Sequence, residues 1–346
     1  LIDFKTNNLH IVGYSEPISK VVSLTELQSH LHSLPDKPNA IPYVTSYYNR
    51  TWGFCITQLE RDALVGGDYT VHIDADLRPG SLTYADLVIP GETKNEIFFS
   101  TYLCHPSMAN NELSGPVVLT KLMQELQKTP IRHYTYRAIF VPETIGSLVF
   151  LSRNLEHLKV NLIAGWVMTC IGDNGHFSYI PSRLGNTYAD KITLELLNSQ
   201  LDAFTEYSWL DRGSDERQFC APGVDLPVCS VTKTKYGEYP EYHTSLDNLD
   251  FISSLGLSQS LEFYLKIVEL LEENRTPRIK TKGEPQLGKR GLYPTISTKE
   301  SGKVVRNMMN FISYCDGNNS ILDISELCNI PFNESFSYFV KMKDNG

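Results

Sequence analysis

Apolar residues along the first 90 positions come in short runs. "YVTSYYN", "WGFCI", "YTVHIDADL" and "YADLVIPG" carry the β-branched and aromatic side chains of strands, and Gly, Pro, Asn and Asp separate them. One helical stretch interrupts the series. Ser23 with Glu26 three residues later predicts a capping box at the head of "LTELQSHLHSL", and Pro35 should end that helix. From about residue 95 the pattern changes. "EIFFSTYLC", "TYRAIFVP", "NLIAGWVMTCIG" and "LPVCSVT" are nearly continuous apolar runs, and segments 115–127, 145–158, 188–201 and 253–273 between them are amphipathic at helical spacing. Strands alternating with helices predict an α/β sheet, mostly parallel and covered on both faces. Residues 272–294 show no periodicity and read as a linker. Three helical stretches follow, "ESGKVVRNMMNFISYC", "ILDISELCN" and "NESFSYFVKMKDNG", with the turn "NIPF" before the last. They predict a winged-helix or helix-turn-helix unit that stops at Gly346, where a wing would follow.

Composition narrows the function classes. The chain has 346 residues, 41% hydrophobic and 21% charged, as in ordinary globular proteins. A formal net charge of −9 and a pI near 5.5 argue against nonspecific attraction to nucleic acid or to an anionic membrane. No apolar stretch approaches the roughly 18 residues that span a bilayer. Seven cysteines, an odd number without CxxC spacing, favour reduced thiols and a cytoplasmic location over a disulfide framework or a zinc ribbon. The first residue is Leu1, so residues are expected ahead of it, and a signal peptide among them stays open.

Three polar residues sit just after apolar strands: His105 in "LCHPS", Glu143 in "FVPETIGS" and His243 in "YPEYHTSLDN". Carboxyl ends of the strands in one open sheet face one crevice, so two imidazoles and a carboxylate can meet there as a zinc site. Singly, each has a structural reading: a turn cap for His105, a helix-start carboxylate for Glu143, a satisfied loop histidine for His243.

"STYLCHPSMANNELSG", "VPETIGS", "CIGD", "GSDERQFCAPGVDLP" and "YGEYPEYHTSLDN" together resemble the aminopeptidase-like proteins of bacterial polysaccharide gene clusters, distant relatives of the M28 zinc aminopeptidases. The resemblance covers nearly the whole chain. It implies a zinc-exopeptidase type of α/β fold with a mostly parallel mixed sheet, a small inserted β-rich domain and a C-terminal winged-helix-like domain. The implied divisions are 1–91 for the inserted domain, 92–275 for the catalytic domain with its N-terminal part missing, 276–293 for the linker and 294–346 for a truncated winged-helix-like domain.

The resemblance also implies metal ligands, residue by residue: His105, Glu143 and His243. Three positions depart from the pattern. The bridging aspartate is Asn111, the aspartate of a further ligand motif is Thr169, and the general-base glutamate is Pro142. An amide neutralises no charge, so one zinc is favoured over two, with Asn111 or water completing the set. A different proton acceptor is then required. Glu112 is the first candidate, with Asp215 and Glu241 as alternatives, although Glu112 can equally be a helix-start carboxylate. Arg217 is a candidate clamp for a substrate carboxylate or a partner in a structural ion pair. Tyr236 and Tyr242 are candidate substrate contacts or packing residues. Asp247 can orient His243 or cap the following helix.

The last helix decides whether nucleic acid is a partner. Lys341 and Lys343 are balanced by Glu334 and Asp344, and aromatic residues fill much of the rest. Readers of phosphate and bases need an excess of Lys and Arg, so DNA binding is disfavoured and protein contact or a homo-oligomer is preferred. Phe336, Phe339 and Val340 are expected to face the core. The expected function is a zinc-dependent, aminopeptidase-like hydrolase acting on a small-molecule, peptide or acyl-amino sugar amide. A noncatalytic metal- or glycan-binding module is the alternative.

Overall fold

The computed structural model describes residues 1–293 and 299–345. The chain divides into two compact units, Leu1–Asp190 with Ala203–Phe263 and Lys191–Asp202 with Tyr264–Gly346.

In chain order the strands of the first unit are β1 (Ile18–Ser23), β2 (Leu31–His32), β3 (Phe54–Cys55), β4 (Asp68–Ile73), β5 (Ala85–Ile89), β6 (Glu96–Tyr102), β7 (Thr135–Val141), β8 (Leu162–Val167), β9 (Ser178–Ile180), β10 (Thr205–Glu206) and β11 (Val228–Thr232). Its helices are α1 (Leu24–Gln28), α2 (Gln58–Asp62), α3 (Ser114–Lys128), α4 (Ile145–Asn161) and α6 (Glu216–Phe219); α5 (Tyr188–Gln200) and α7 (Ser254–Glu273) begin here and run into the second unit.

Seven strands form one sheet in the order β10-β9-β11-β8-β6-β7-β5. β6 is parallel to β7 and β8, β11 is parallel to β8 and β10 to β9, while β5 and the β9–β11 pair are antiparallel. The sheet is therefore mixed but mainly parallel, as the near-continuous apolar runs predict. Phe98 lies at its centre, stacked on Phe150 of α4 at 5.8 Å and edge-on to Phe219 of α6 at 5.1 Å. Each such buried ring contributes roughly 1.5–3 kcal/mol of hydrophobic stabilisation. α3 presses so closely on the sheet that a Cβ on Gly115 would stand 2.3 Å from both the Met168 carbonyl and Thr101 Oγ1. That position accepts only glycine.

Some elements differ from expectation. "YADLVIPG" does not stay with the leading segment, because its β5 strand closes the edge of the large sheet. Arg137, in the apolar run of β7, is the physical reason: its guanidinium reaches Asp86 of β5 at 2.8 Å and Glu96 of β6 at 2.9 Å. "YVTSYYN" is no strand and makes only an isolated bridge from Thr45 to Gly13. The leading segment is held by the antiparallel β1–β4 pair and the short β2–β3 pair. Helix α1 stops well short of Pro35. The Ser23 hydroxyl accepts the Glu26 N–H at 3.3 Å, but the Glu26 carboxylate pairs with Lys20, so the box is half made. Ser29 then turns its N–H and hydroxyl back onto the Glu26 carbonyl, and the next residues enter β2.

The second unit holds α8 (Lys299–Ser313), α9 (Ile321–Cys328) and α10 (Phe332–Asp344). Ser320 and Asp323 cap α9 reciprocally, and Asn329 ends it in the left-handed conformation. The stretch read as a linker joins this unit in part: Ile279 N–H donates to the Cys315 carbonyl at 2.8 Å, Gly317 N–H to that of Pro277 at 3.0 Å, and Leu287 is buried. On α10 the buried face runs through Phe332, Ser335 and Tyr338. Phe336 and Phe339 are half-buried and Val340 is exposed; the contact to α8 is made instead from the Glu334 side, where Asn307 donates to its carboxylate at 2.8 Å. The expected winged-helix start at 294–298 and Gly346 lie outside the described residues.

Candidate metal and catalytic centre

The carboxyl ends of four adjacent strands, β11, β8, β6 and β7, carry the chemistry. His105 follows β6, Glu143 follows β7, Thr169 and Cys170 follow β8, and His243 lies in the loop after β11. Ser107, Thr144, Cys170 and His243 all have positive φ, between 51° and 63°. Non-glycine residues hold that conformation only where their surroundings over-determine it.

After His105 the chain makes a π-type turn, Ala109–Leu113, before entering α3. Asp247 secures this turn from outside by accepting the N–H groups of Asn110 at 2.6 Å and Asn111 at 3.0 Å, with the Tyr239 hydroxyl at 3.2 Å. Asp247 thus braces the His105 loop rather than the His243 ring. The turn brings Glu112 under His105, where one carboxylate oxygen bonds His105 Nδ1 and the other accepts the Cys104 N–H at 2.6 Å. Burial opposes charge on His105, but the bond to and charge of Glu112, with Glu143 behind it, raise its pKa above the ordinary value.

With Nδ1 engaged, His105 directs Nε2 to Glu143, 3.8 Å from Oε2. That gap is too long for a hydrogen bond. Two ligands about 2 Å from one tetrahedral ion stand roughly 3.3 Å apart, so the spacing is close to that of a ligand pair. The His243 ring is 4.8 Å from the His105 ring, and its Nε2 is buried with no hydrogen-bond partner. Burial, then the charge of His105, lowers the His243 pKa to about 4, so its ring is a neutral electron-pair donor. Asn111 Oδ1 is likewise buried and unpartnered, while its Nδ2 donates to the Tyr102 hydroxyl at 3.2 Å. These free lone pairs fit a divalent cation. Among the described residues, however, no three His, Cys, Asp or Glu side chains form a closed metal-ligand cluster.

Asp215 is fully buried beside this group. One oxygen accepts the Thr144 N–H at 2.8 Å and the Ser147 hydroxyl at 3.0 Å, and the other has no partner. Burial pushes its pKa up to about 7. Arg217 is exposed and donates to Thr144 Oγ1 at 2.6 Å, next to Glu143. Tyr236 is not free for a ligand: its hydroxyl donates to buried Glu216 at 2.7 Å, which also accepts the N–H groups of Gly213 and Ser214. Tyr242 stacks on the His243 ring at 3.8 Å. Glu241 accepts the Thr244 N–H and hydroxyl through its carbonyl, and among the described residues its carboxylate makes no ion pair. Thr169 donates to the Asn111 carbonyl at 2.9 Å, so the position expected to hold an acid instead supports the π-type turn.

Tyr43 escaped the sequence reading. It packs edge-on against both histidines, at 4.7 Å from His105 and 5.3 Å from His243, and its N–H donates to the His243 carbonyl at 3.0 Å. No local motif marks a tyrosine 62 residues ahead of His105 as part of the site.

Comparison with known proteins divides the chain after residue 274. Residues 18–274 match the family described as "Domain of unknown function (DUF4910)". The chain belongs to the DUF4910 family. Residues 275–346 of this DUF4910 protein match the winged helix-turn-helix family, so the C-terminal domain is a winged helix. A Clostridium acetobutylicum protein named "Putative polysaccharide biosynthesis protein with aminopeptidase-like domain" is 43% identical over 334 residues, 96% of this chain and 76% of that protein. The resemblance carried by the motifs is borne out by this relative. A crystal structure described as a "putative peptidase" from C. acetobutylicum superimposes with a TM-score of 0.91 at 40% identity, covering 99% of this chain and 78% of that one. BSAP, a zinc aminopeptidase from Bacillus subtilis, gives a TM-score of 0.55 at 15% identity over 69% of this chain and 62% of its own. At that identity the likeness concerns fold, and the DUF4910 region has the aminopeptidase-like fold. Among the described residues no helix is long and apolar enough to cross a membrane.

Proposed function

We propose that the DUF4910 protein is a zinc-dependent hydrolase of an amide or acyl bond, with an aminoacyl or acyl-amino sugar as its substrate class. The observation that carries this reading is the His105–Glu143 pair at 3.8 Å beside the unpartnered Nε2 of His243. His105, Glu143 and His243 would hold one zinc ion, with a water or Asn111 Oδ1 in the fourth position. A bound zinc supplies polarisation of the scissile carbonyl and acidification of a water.

The chain's own residues do the rest. Glu112, with both oxygens engaged, fixes the tautomer of His105 and keeps its Nε2 lone pair turned to the site. Proton transfer then falls to Asp215, whose Oδ2 is free and whose pKa near 7 suits a group that takes up and returns a proton at neutral pH. Arg217 and Tyr242 flank the reacting group, and Arg217 offers a forked donor to a substrate oxygen. The sugar component rests on the name of the 43% identical relative, a putative polysaccharide biosynthesis protein.

The second reading is a noncatalytic binding module. It draws on the lack of a closed three-ligand cluster among the described residues and on Pro142 and Asn111, where an acid is expected. Metal analysis of the purified chain and of His243→Ala separates these readings, together with turnover of aminoacyl and N-acyl hexosamine amides by wild type and Asp215→Asn. One equivalent of zinc that is lost in His243→Ala, with turnover lost in Asp215→Asn, supports the hydrolase. Zinc without turnover favours the binding module, and no zinc in either protein removes the metal centre.

A further inference from the structure

The leading segment gathers several tyrosine rings around Tyr43, the residue that touches both histidines. Tyr43 lies edge-on to both histidines, as described. Around it the backbone is zipped: Gly13 N–H donates to the Val44 carbonyl at 2.9 Å, and Ser46 N–H returns to the Gly13 carbonyl at 3.0 Å. This pairing sets Tyr14 beside Tyr47, with ring centroids 5.7 Å apart and planes 33° from parallel. Tyr14 and Tyr47 are 56% and 61% exposed, and neighbouring Tyr48 is 98% exposed.

Both ring-bearing residues sit at positive φ, 66° for Tyr14 and 45° for Tyr47. Left-handed backbone is uncommon for bulky residues. Here it is used at two exposed tyrosines rather than at glycines. The segment is also fastened to the site loop, because Met108 packs in one core cluster with Leu9, Val12, Ile41 and Cys55, against which Tyr43 and Val44 also pack. The bridge from Pro42 to Thr244, with reciprocal bonds between Ile41 and Ser245, ties it equally to the His243 loop. The tyrosines are thus positioned by the same loops that position the histidines.

We propose that Tyr14 and Tyr47, with Tyr43 behind them, form the subsite that holds the pyranose ring of an N-acylated or aminoacylated hexosamine. This deepens the reading of the histidine centre as the place where substrate binds, and it rests on that reading. A sugar ring offers C–H faces to aromatic planes and hydroxyls to phenolic oxygens, whereas an apolar amino-acid side chain is better served by an enclosed pocket without hydroxyls. Open, half-exposed phenols match the first description.

Saturation-transfer NMR tests the assignment with methyl glycosides of N-acetylglucosamine, N-acetylgalactosamine and N-acetylmannosamine, and with leucinamide as a probe lacking a sugar. The expected result is binding of at least one hexosamine that weakens by about tenfold in Tyr14→Ala/Tyr47→Ala and is retained in Tyr14→Phe/Tyr47→Phe, since the ring face supplies most of the contact. Leucinamide binding should not move. No hexosamine binding, or binding equal in wild type and the alanine variant, overturns the subsite. Because binding is read without turnover, absence of hydrolysis counts against the hydrolase alone, while hydrolysis with Tyr-insensitive sugar binding counts against the subsite alone. Both substitutions are at exposed positions, and circular dichroism of each variant confirms that the fold is kept.

Discussion

The two units of the chain are built by opposite rules. In the first, buried charged and polar groups gather at strand ends, several without partners, and four residues there hold left-handed backbone. In the second, among the described residues, the only non-glycine residue at positive φ is Asn329, and it simply ends a helix. The α9 cap there is reciprocal, and Lys191 makes half-exposed ion pairs with both Asp323 and Glu326. The contrast teaches where to look for chemistry. Strain and unpaired polarity gather where a ligand can repay them, whereas among the described residues of the second unit the one buried side-chain oxygen left unpartnered is that of Ser335, on the packed face of α10.

The largest expected effect breaks the contrast if it fails. His105→Ala leaves the Glu112 carboxylate buried without its imidazole and should destabilise the chain by about 3–5 kcal/mol, whereas Lys191→Ala should cost about 1 kcal/mol or less. Urea unfolding of both variants measures this, and comparable losses would erase the distinction drawn here. Next, Glu112→Gln keeps the shape but weakens control of the His105 tautomer. Zinc affinity, read by competition with a chelating dye, should fall about 10- to 100-fold.

A third effect is pH-dependent. Asp215 carries its proton up to about pH 7 in the folded chain but releases it near 3.8 when unfolded. Across that window the folded state binds more protons, so the contribution of this group to stability declines as pH rises and is lowest above 7. In zinc-free protein, Asp215→Asn should therefore lose less Tm than wild type between pH 5 and pH 8. An equal decline would show that Asp215 is not the group responsible. Smaller still is Arg217→Gln, an exposed change expected to shift stability by less than about 0.5 kcal/mol while raising KM for an anionic substrate. The smallest effect concerns the winged helix. With Lys341 and Lys343 offset by Glu334 and Asp344, random duplex DNA should show no retardation at about 100 mM salt.

Much of this was legible in the residues. The apolar runs of β6, β7, β8 and β11 announced a parallel sheet, and placing His105, Glu143 and His243 at strand ends was enough to nominate them together. Glu112 was nominated too, as a proton carrier; that one of its oxygens bonds His105 Nδ1 and the other the Cys104 N–H depends on the π-type turn, and no one-dimensional pattern displays that turn. Asp247 bracing the loop of Asn110 and Asn111 was hidden for the same reason: its partners lie 137 and 136 positions away.

What the sequence determined alone was local: periodicity, caps and the residue types available at each strand end, all of which follow from interactions a few positions apart. Tertiary structure decided which of those residues became neighbours. It set Arg137 between two acids and thereby recruited β5 to the sheet, it buried Asp215 until its proton was held to near neutrality, and it laid Tyr43 from the leading segment against both histidines. Burial and long-range contact are properties of the packed chain, and desolvation acts only once the packing has formed.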